Sequence, residues 1–361
     1  MSSLQKLNDN SLKVHGTKPS LHSGQTIVSS GIPSLDHVID GGIPLGSLVI
    51  IEEDQYGDYA HLVLSYFMSE AVCNWHRLLA ASLDADPSKM ILELPSPADG
   101  EVTAVRPPAD AADQRMTIAW RYQGLPQQQA PAAGRFGQHY DLSRYIEKSA
   151  IDAMDISLWP EEEPPGNDYA AASDRLGSLL AACDRLASGA EPDTGPTVRR
   201  LAVRSLGSPL WSAPPERVVR ACHLLRALLR VTGAVAMVTV PTHLWTDEAL
   251  VARLRRCADI SIGLESFQGT PAAESPAFSE YHGLVHVHRL SARNVLAARY
   301  PRHPDLAFKV RRKKFSVETL HLPPELSETA SRSQEDDSAP ARKGRPSAGC
   351  QAARPGAPLD F

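Results

Sequence analysis

No two cysteines of this 361-residue sequence form a C-x-x-C pair; Cys73, Cys183, Cys222, Cys257 and Cys350 are scattered. An odd, dispersed set gives no disulfide framework and predicts reduced, mostly buried thiols. No apolar run reaches membrane-spanning length, and the polar stretch 1–25 lacks the apolar core of a secretory signal. The expected compartment is cytosolic and nuclear, with no membrane partner. Nor is there a large surplus of either charge: the net value is −5. That excludes a basic coat over the whole surface, so any nucleic-acid contact must be local. The length admits one large or two ordinary domains and a sizeable core.

The most informative absence is local. Gly41-Gly42-Ile43-Pro44-Leu45-Gly46-Ser47 leads into the apolar strand Leu48-Val49-Ile50-Ile51. In a nucleotide-binding α/β domain the next turn reads G-x-x-x-x-G-K-[ST] and opens a helix, so that backbone amides and one lysine neutralise phosphate. Here the turn reads Glu52-Glu53-Asp54-Gln55-Tyr56-Gly57-Asp58-Tyr59, with no Lys or Arg before Ala60. If Gly57 is the second glycine, Glu52 replaces the first, Asp58 the lysine and Tyr59 the magnesium-ligating hydroxyl; a shift of one residue fits no better. Each carboxylate about 6 Å from a phosphate charge costs about 3 kcal/mol at an effective dielectric of about 20. These acids also suit the positive end of the following helix dipole. Such an ATPase needs an acid ending a later apolar strand. The natural strand, Leu201-Ala202-Val203, runs instead into Arg204-Ser205-Leu206-Gly207.

The organisation predicts an α/β fold with a mainly parallel sheet. A short helix around Leu35 and Val38-Ile39 precedes the glycine pair, and a largely buried helix runs from about Ala60 to Trp75. Strands are expected at 78–83, within 198–206, and at 234–240, 259–264 and 283–290. A helix capped by Ser173 carries Leu176, Leu179 and Leu186; another runs from Pro215 to Gly233; a third is capped by Thr246. Ala234–Val240 is wholly apolar, as a strand covered on both faces should be. Residues 1–25 and 323–361 are expected to be disordered, as are insertions near 99–115 and 123–134, leaving 26–322 as the folded domain. Trp159 to Asn167 reads as an acidic, proline-rich loop.

Three further groups carry candidate chemistry. His282, His286 and His288 share one face of a strand by even spacing, without an obvious cysteine or carboxylate to complete a metal set. Arg311, Arg312, Lys313 and Lys314 form the most basic run, near Arg289, Arg293, Arg299 and Arg302; it is a candidate phosphate-gripping patch or a solvated charge run. Trp120 and Tyr122, flanking Arg121, suit base stacking, a core or an interface.

Taken together, Ser30-Gly31-Ile32-Pro33-Ser34-Leu35-Asp36, Gly41 to Gly46, Ile51 to Asp54, Ile118 to Tyr122, Ser205 to Trp211, Phe308 to Phe315 and Leu320 to Pro324 resemble the PAXNEB family, which supplies the fourth subunit of the Elongator complex. The resemblance runs discontinuously from about residue 27 to 329. It implies a RecA-like fold with a degenerate P-loop. It also implies assembly with the fifth and sixth Elongator subunits into a heterohexameric ring that binds tRNA. That ring joins the catalytic Elongator subcomplex in wobble-uridine (U34) modification. No catalytic, cofactor-binding or metal-binding residue carries over. The Ala/Pro/Gln insertions depart from the family pattern. Two rivals stay open: an ATPase subunit sharing an inter-subunit site, with Arg204 or Arg121 acting in trans, and a plain α/β interaction scaffold without RNA contact.

Overall fold

Leu48 and Ile50 pack into one apolar layer while Val49 and Ile51 pack into the other. This alternation is what a central strand with both faces covered must show. In the computed structural model, which describes residues 14–20, 23–98, 136–160, 174–189, 196–295, 300–301 and 305–321, that strand lies in the middle of a nine-stranded sheet. The strands are β1 (Thr17–Pro19), β2 (Thr26–Val28), β3 (Ile43–Pro44), β4 (Leu48–Glu52), β5 (Arg77–Ala81), β6 (Pro95–Pro97) and β7 (Tyr140–Tyr145), then β8 (Ile156–Trp159), β9 (Arg199–Val203), β10 (Val235–Val240), β11 (Ile260–Ser266), β12 (Gly283–Arg289), β13 (Leu306–Arg311) and β14 (Lys314–Thr319). The large sheet has the order β14-β13-β12-β11-β4-β10-β9-β5-β8. From β11 to β8 every pairing is parallel, whereas β11 to β14 form an antiparallel extension.

The helices are α1 (Pro33–Val38), α2 (Asp58–Cys73), α3 (Pro87–Leu92), α4 (Lys148–Asp152), α5 (Arg175–Ser188), α6 (Pro215–Thr232) and α7 (Glu248–Cys257). The first four join one apolar layer, and α5 to α7 join the other. The chain leaves β4 through α2, moves out to β5 and β8, and returns through α5, α6 and α7 to β9, β10 and β11. Neighbouring strands β4 and β10 are therefore followed by helices on opposite faces. In an open α/β sheet that switch point leaves a crevice outside the strands' carboxyl ends.

Several sequence expectations are met within a residue or two: β4, α2, α6 and β10. Gly233 ends α6 in the left-handed conformation (φ 73°), its N–H donating to the Leu229 carbonyl, where a side chain would be strained. Others are corrected. Residues 17–19, expected within the disordered segment 1–25, form β1, because edge pairing with β2 needs backbone groups rather than apolar side chains. Asp247, not Thr246, caps α7; its carboxylate accepts from the Ala249 amide and sits at the positive helix end. Trp159 is no loop residue: it closes β8 and stacks on Trp211 at 5.2 Å. Ser173, Trp120, Arg121, Tyr122, Arg299, Arg302, Cys350, both insertions and the 323–361 tail lie outside the described residues. The four described cysteines form no disulfide, and burial pushes the Cys73, Cys183 and Cys222 thiols up to about 12. No helix among the described residues is long and apolar enough to cross a membrane.

Candidate functional site

The rim at the carboxyl ends of β4 and β10 is closed from within. Glu52, the last residue of β4, is buried, and its carboxylate meets Arg255 of α7 in a two-pronged pairing: Nε to Oε1 at 2.6 Å and Nη2 to Oε2 at 2.8 Å. Thr242 donates to the same carboxylate at 3.2 Å, and His288 Nε2 lies 3.4 Å away. The hydrogen bonds to Glu52 raise the Arg255 pKa. Burial lowers that of His288, although Glu52 opposes the shift. A helix from the far layer thus reaches over the switch point and fills it with an ion pair.

The start of α2 is filled in the same manner. The Asp54 carboxylate accepts from the amides of Tyr56 and Tyr59, both at 3.3 Å. Gly57 turns into the helix with φ 76°, its N–H donating to the Asp54 carbonyl. The first amides of a helix are an anion site; here the anion is the chain's own. Burial raises the Asp54 pKa against those hydrogen bonds. Asp58, at the first helical position, suits the dipole.

Beside this turn stand Glu53, His61 and Ser205. The His61 Nε2 lies 3.0 Å from Ser205 Oγ and 3.5 Å from Glu53 Oε1. Both partners use the same ring nitrogen, whereas a Ser–His–acid relay needs the acid on Nδ1. The trio is therefore a His61–Ser205 hydrogen bond with Glu53 at ion-pair distance, and not a nucleophile with its base. Ser205 sits at φ 50° with its N–H on Thr239 Oγ1 at 2.7 Å. Burial works to raise the Glu53 pKa, but bonds from His61, Thr239 and Ser205 hold it below the ordinary value.

Arg204 follows β9, where an acid would be needed to hold a metal. Its Nε is buried and has no hydrogen-bonding partner among the described residues. It borders a cleft of about 280 Å³ with His61, Met90, Glu93, Leu142 and Tyr145. Glu53, Asp84, Asp58 and Glu93 surround it electrostatically, while burial lowers its pKa. The sequence reading missed Asp84, which follows the neighbouring strand β5 and accepts from Ser208 Oγ at 2.8 Å.

The four basic residues Arg311, Arg312, Lys313 and Lys314 come together at the exposed tip of the β13–β14 hairpin, with Arg311 opposite Lys314. Lys313 lies 3.4 Å from Asp141. Lys309, in the same run, is buried and paired with Glu280 at 2.9 Å and Glu318 at 3.1 Å. Arg289 and Arg293 are not beside this tip. They lie toward and beyond the opposite end of β12, roughly 20 Å along a strand of that length. The histidines also separate. His286 and His288 stack with ring centres 6.2 Å apart, His286 on Glu265 at 2.7 Å, whereas His282 accepts from the Val310 amide at 3.2 Å. Among the described residues no group of three or more His, Cys, Asp or Glu is placed to hold a metal ion.

Sequence reading also missed a buried charge. Arg200 of β9 is fully buried, with Nε on His76 Nδ1 at 3.0 Å, Nη1 on the Ser29 carbonyl at 2.9 Å and its plane 4.7 Å from the Phe67 ring. Glu70 and Asp36 offset its charge. Glu70 accepts from the Tyr140 hydroxyl and the Gly137 amide, pinning the segment that leads into β7. Asp36, held by Ser29 and the Ser30 amide, is raised by burial to about 6.

The fold and rim define an α/β protein with a mainly parallel sheet whose switch-point crevice is occupied by its own side chains. A family model described as PAXNEB protein matches residues 10–350. The sequence is 39% identical to a Xenopus laevis protein named Elongator complex protein 4, over 96% of this chain and 92% of that protein. It is 34% identical to the Homo sapiens protein of that name over 92% and 85%, and 29% identical to the one from Schizosaccharomyces pombe over 86% and 88%. The chain belongs to the PAXNEB family.

Proposed function

We propose that this chain is a non-catalytic subunit of an Elongator complex, with a RecA-like architecture kept for assembly and a P-loop that has lost its phosphate chemistry. In this reading it forms a heterohexameric ring with the fifth and sixth subunits. The ring binds tRNA for wobble-uridine modification, and the chemistry resides on the catalytic subcomplex. The name carried by its relatives supports membership of the complex. The observation that carries the loss of catalysis is the Asp54 carboxylate on the amides of the β4–α2 turn, beside the Glu52–Arg255 pair. A phosphate placed there meets negative charge where a P-loop supplies amides and a lysine. The mainly parallel sheet, with the turn at its switch point, supports the RecA-like reading.

Native purification of the chain, with mass spectrometry of bound protein and sequencing of bound RNA, tests the assembly. The expected result is co-purification with the other Elongator subunits and tRNA; a chain that purifies alone overturns it. Calorimetric titration with Mg-ATP tests the loss of catalysis. No binding is expected, and micromolar affinity abolished by Asp58→Ala would sink the non-catalytic reading.

The second reading, a site shared between protomers, has one observation in its favour: the buried Arg204 Nε without a hydrogen-bonding partner among the described residues. Glu53, Asp84, Asp58 and Glu93 act on its charge, and their own negative charge opposes the approach of a nucleotide.

A further inference from the structure

The helix α6 buries one apolar face and leaves two large apolar side chains exposed on the other side. Val218, Ala221, Cys222, Leu225 and Leu229 point into the core. On the opposite side Leu224 is 52% and Val231 88% exposed. At 100° per residue Arg220, Ala227 and these two residues share one outward ridge. A ridge of bare Leu and Val beside arginines is not a solvated helix face of the ordinary kind.

The edge of α6 nearest α7 is basic. Arg226 and Arg230 both donate to one oxygen of the buried Asp259 carboxylate. Arg293 lies in the same field. Three guanidiniums against one carboxylate leave a surplus of two positive charges. Each guanidinium carries five N–H donors, and Asp259 engages one from Arg226 and one from Arg230. Arg289 donates to the Arg256 carbonyl on the adjoining helix, so its charge extends the patch. Arg220 and Arg253 are exposed.

We propose that this outward face of α6 is a docking surface for an acidic amphipathic helix of another subunit. The carboxylates of that helix meet Arg220 and Arg230, and its apolar edge covers Leu224 and Val231. The inference rests on the reading of this chain as a subunit of a multi-protein complex. Charge complementarity selects the occupant. A second copy of this chain would present the same basic face across a two-fold axis, and like charges opposed there are repelled. A nucleic-acid backbone would satisfy the arginines but leave the apolar ridge in water. Protein interfaces favour arginine over lysine and cover apolar residues at their centre, and every basic residue here is arginine.

The test uses the full chain in the complex reconstituted from its purified subunits, with a photo-crosslinking amino acid in place of Leu224 and hydrogen exchange followed on α6. The expected crosslink joins position 224 to a partner segment in which Asp and Glu outnumber Lys and Arg, with apolar residues at helical spacing. Exchange on α6 slows on assembly. Leu224→Glu with Val231→Glu weakens binding to that partner about tenfold, Arg220→Glu weakens it several-fold, and thermal unfolding of the isolated chain is unchanged. A crosslink to nucleic acid, to a basic segment or to a second copy of this chain overturns the proposal. So does a complex that assembles with α6 exchanging as it does in the isolated chain. In that last case the complex-subunit reading stands; a chain that enters no complex removes both.

Discussion

The carboxylate of Glu52 and the guanidinium of Arg255 form a parallel two-pronged pair at 2.6 and 2.8 Å, bridging the end of a central strand to a helix 203 residues later in the chain. Glu52 is buried and Arg255 is 38% exposed, so the two members respond differently to mutation. Removing the arginine leaves a carboxylate in a dry site. Arg255→Met is therefore expected to cost about 2 kcal/mol in urea denaturation, less than a fully buried pair because of that exposure. Glu52→Leu with Arg255→Met should recover most of the loss, since replacing both charges removes the stranded one.

The same variant should move His288. Burial depresses its pKa, and Arg255 adds to the depression while Glu52 opposes it. With Arg255 gone, the ring 3.4 Å from Glu52 becomes the remaining cation partner. NMR titration of Arg255→Met should show His288 taking its proton at higher pH than in the unmodified chain. Relative to the unmodified chain, the extra proton affinity offsets part of the loss at low pH and fades as pH rises through the His288 pKa, so the cost of Arg255→Met should be greater in alkaline than in acidic buffer. An unmoved His288 would refute the link.

Asp36 predicts a pH trend of the same sign, in a more acidic window. Burial raises its carboxyl from 3.8 to about 6. Between those values the folded chain holds a proton that the unfolded chain has released, so stability falls as pH climbs from about 4 to 6. The effect is on the order of 2 to 3 kcal/mol. Asp36→Asn keeps an acceptor for the Ser30 amide and turns an amide N–H toward Ser29 Oγ, whose hydroxyl donates to Asp36 in the unmodified chain and rotates to accept; the variant should flatten that slope in denaturation curves measured at several pH values. A slope equal to that of the unmodified chain would count against it.

Much of the fold is legible in the sequence because hydrophobic period and end signals agree: the all-apolar β10, and α6 between Pro215 and Gly233. Arg200 is not legible. In Val198-Arg199-Arg200-Leu201 a charge at a strand entrance reads as solvated, and its partners Glu70, Asp36, His76 and Phe67 come from distant parts of the chain. The basic run near 309–314 is visible as a run, but sequence cannot sort Lys309, paired and buried, from the four residues at the tip. The crowding of carboxylates around Gly57 is plain from the residues alone. That Asp54 itself takes an amide of the turn and one of the helix needs the loop geometry.

The hairpin tip gives a prediction about RNA. Arg311, Arg312 and Lys314 have no ion pair among the described residues, while Lys313 lies near Asp141. If the proposed ring grips tRNA here, changing all four to Gln or Ala should weaken binding. It should also reduce the slope of log affinity against log salt by about 2 to 3, close to one unit for each phosphate no longer neutralised. Lys313→Gln alone should do less than Arg312→Gln. An unchanged slope in the reconstituted complex would remove the tip from the proposed RNA-binding surface.

Asp54 separates structural from phosphate chemistry most directly. Its carboxylate accepts from Tyr59 in the first turn of α2 and from Tyr56 in the turn before it, so Asp54→Ala should cost about 1 kcal/mol, as the removal of a helix cap does. It also vacates the amides that a phosphate would need. Were Asp54 the only obstacle, the variant would begin to bind Mg-ATP. Glu52, Glu53 and Asp58 remain around the turn and no lysine is gained, so calorimetry should still detect no binding. Nucleotide binding acquired by Asp54→Ala alone would mean that the site is blocked rather than lost.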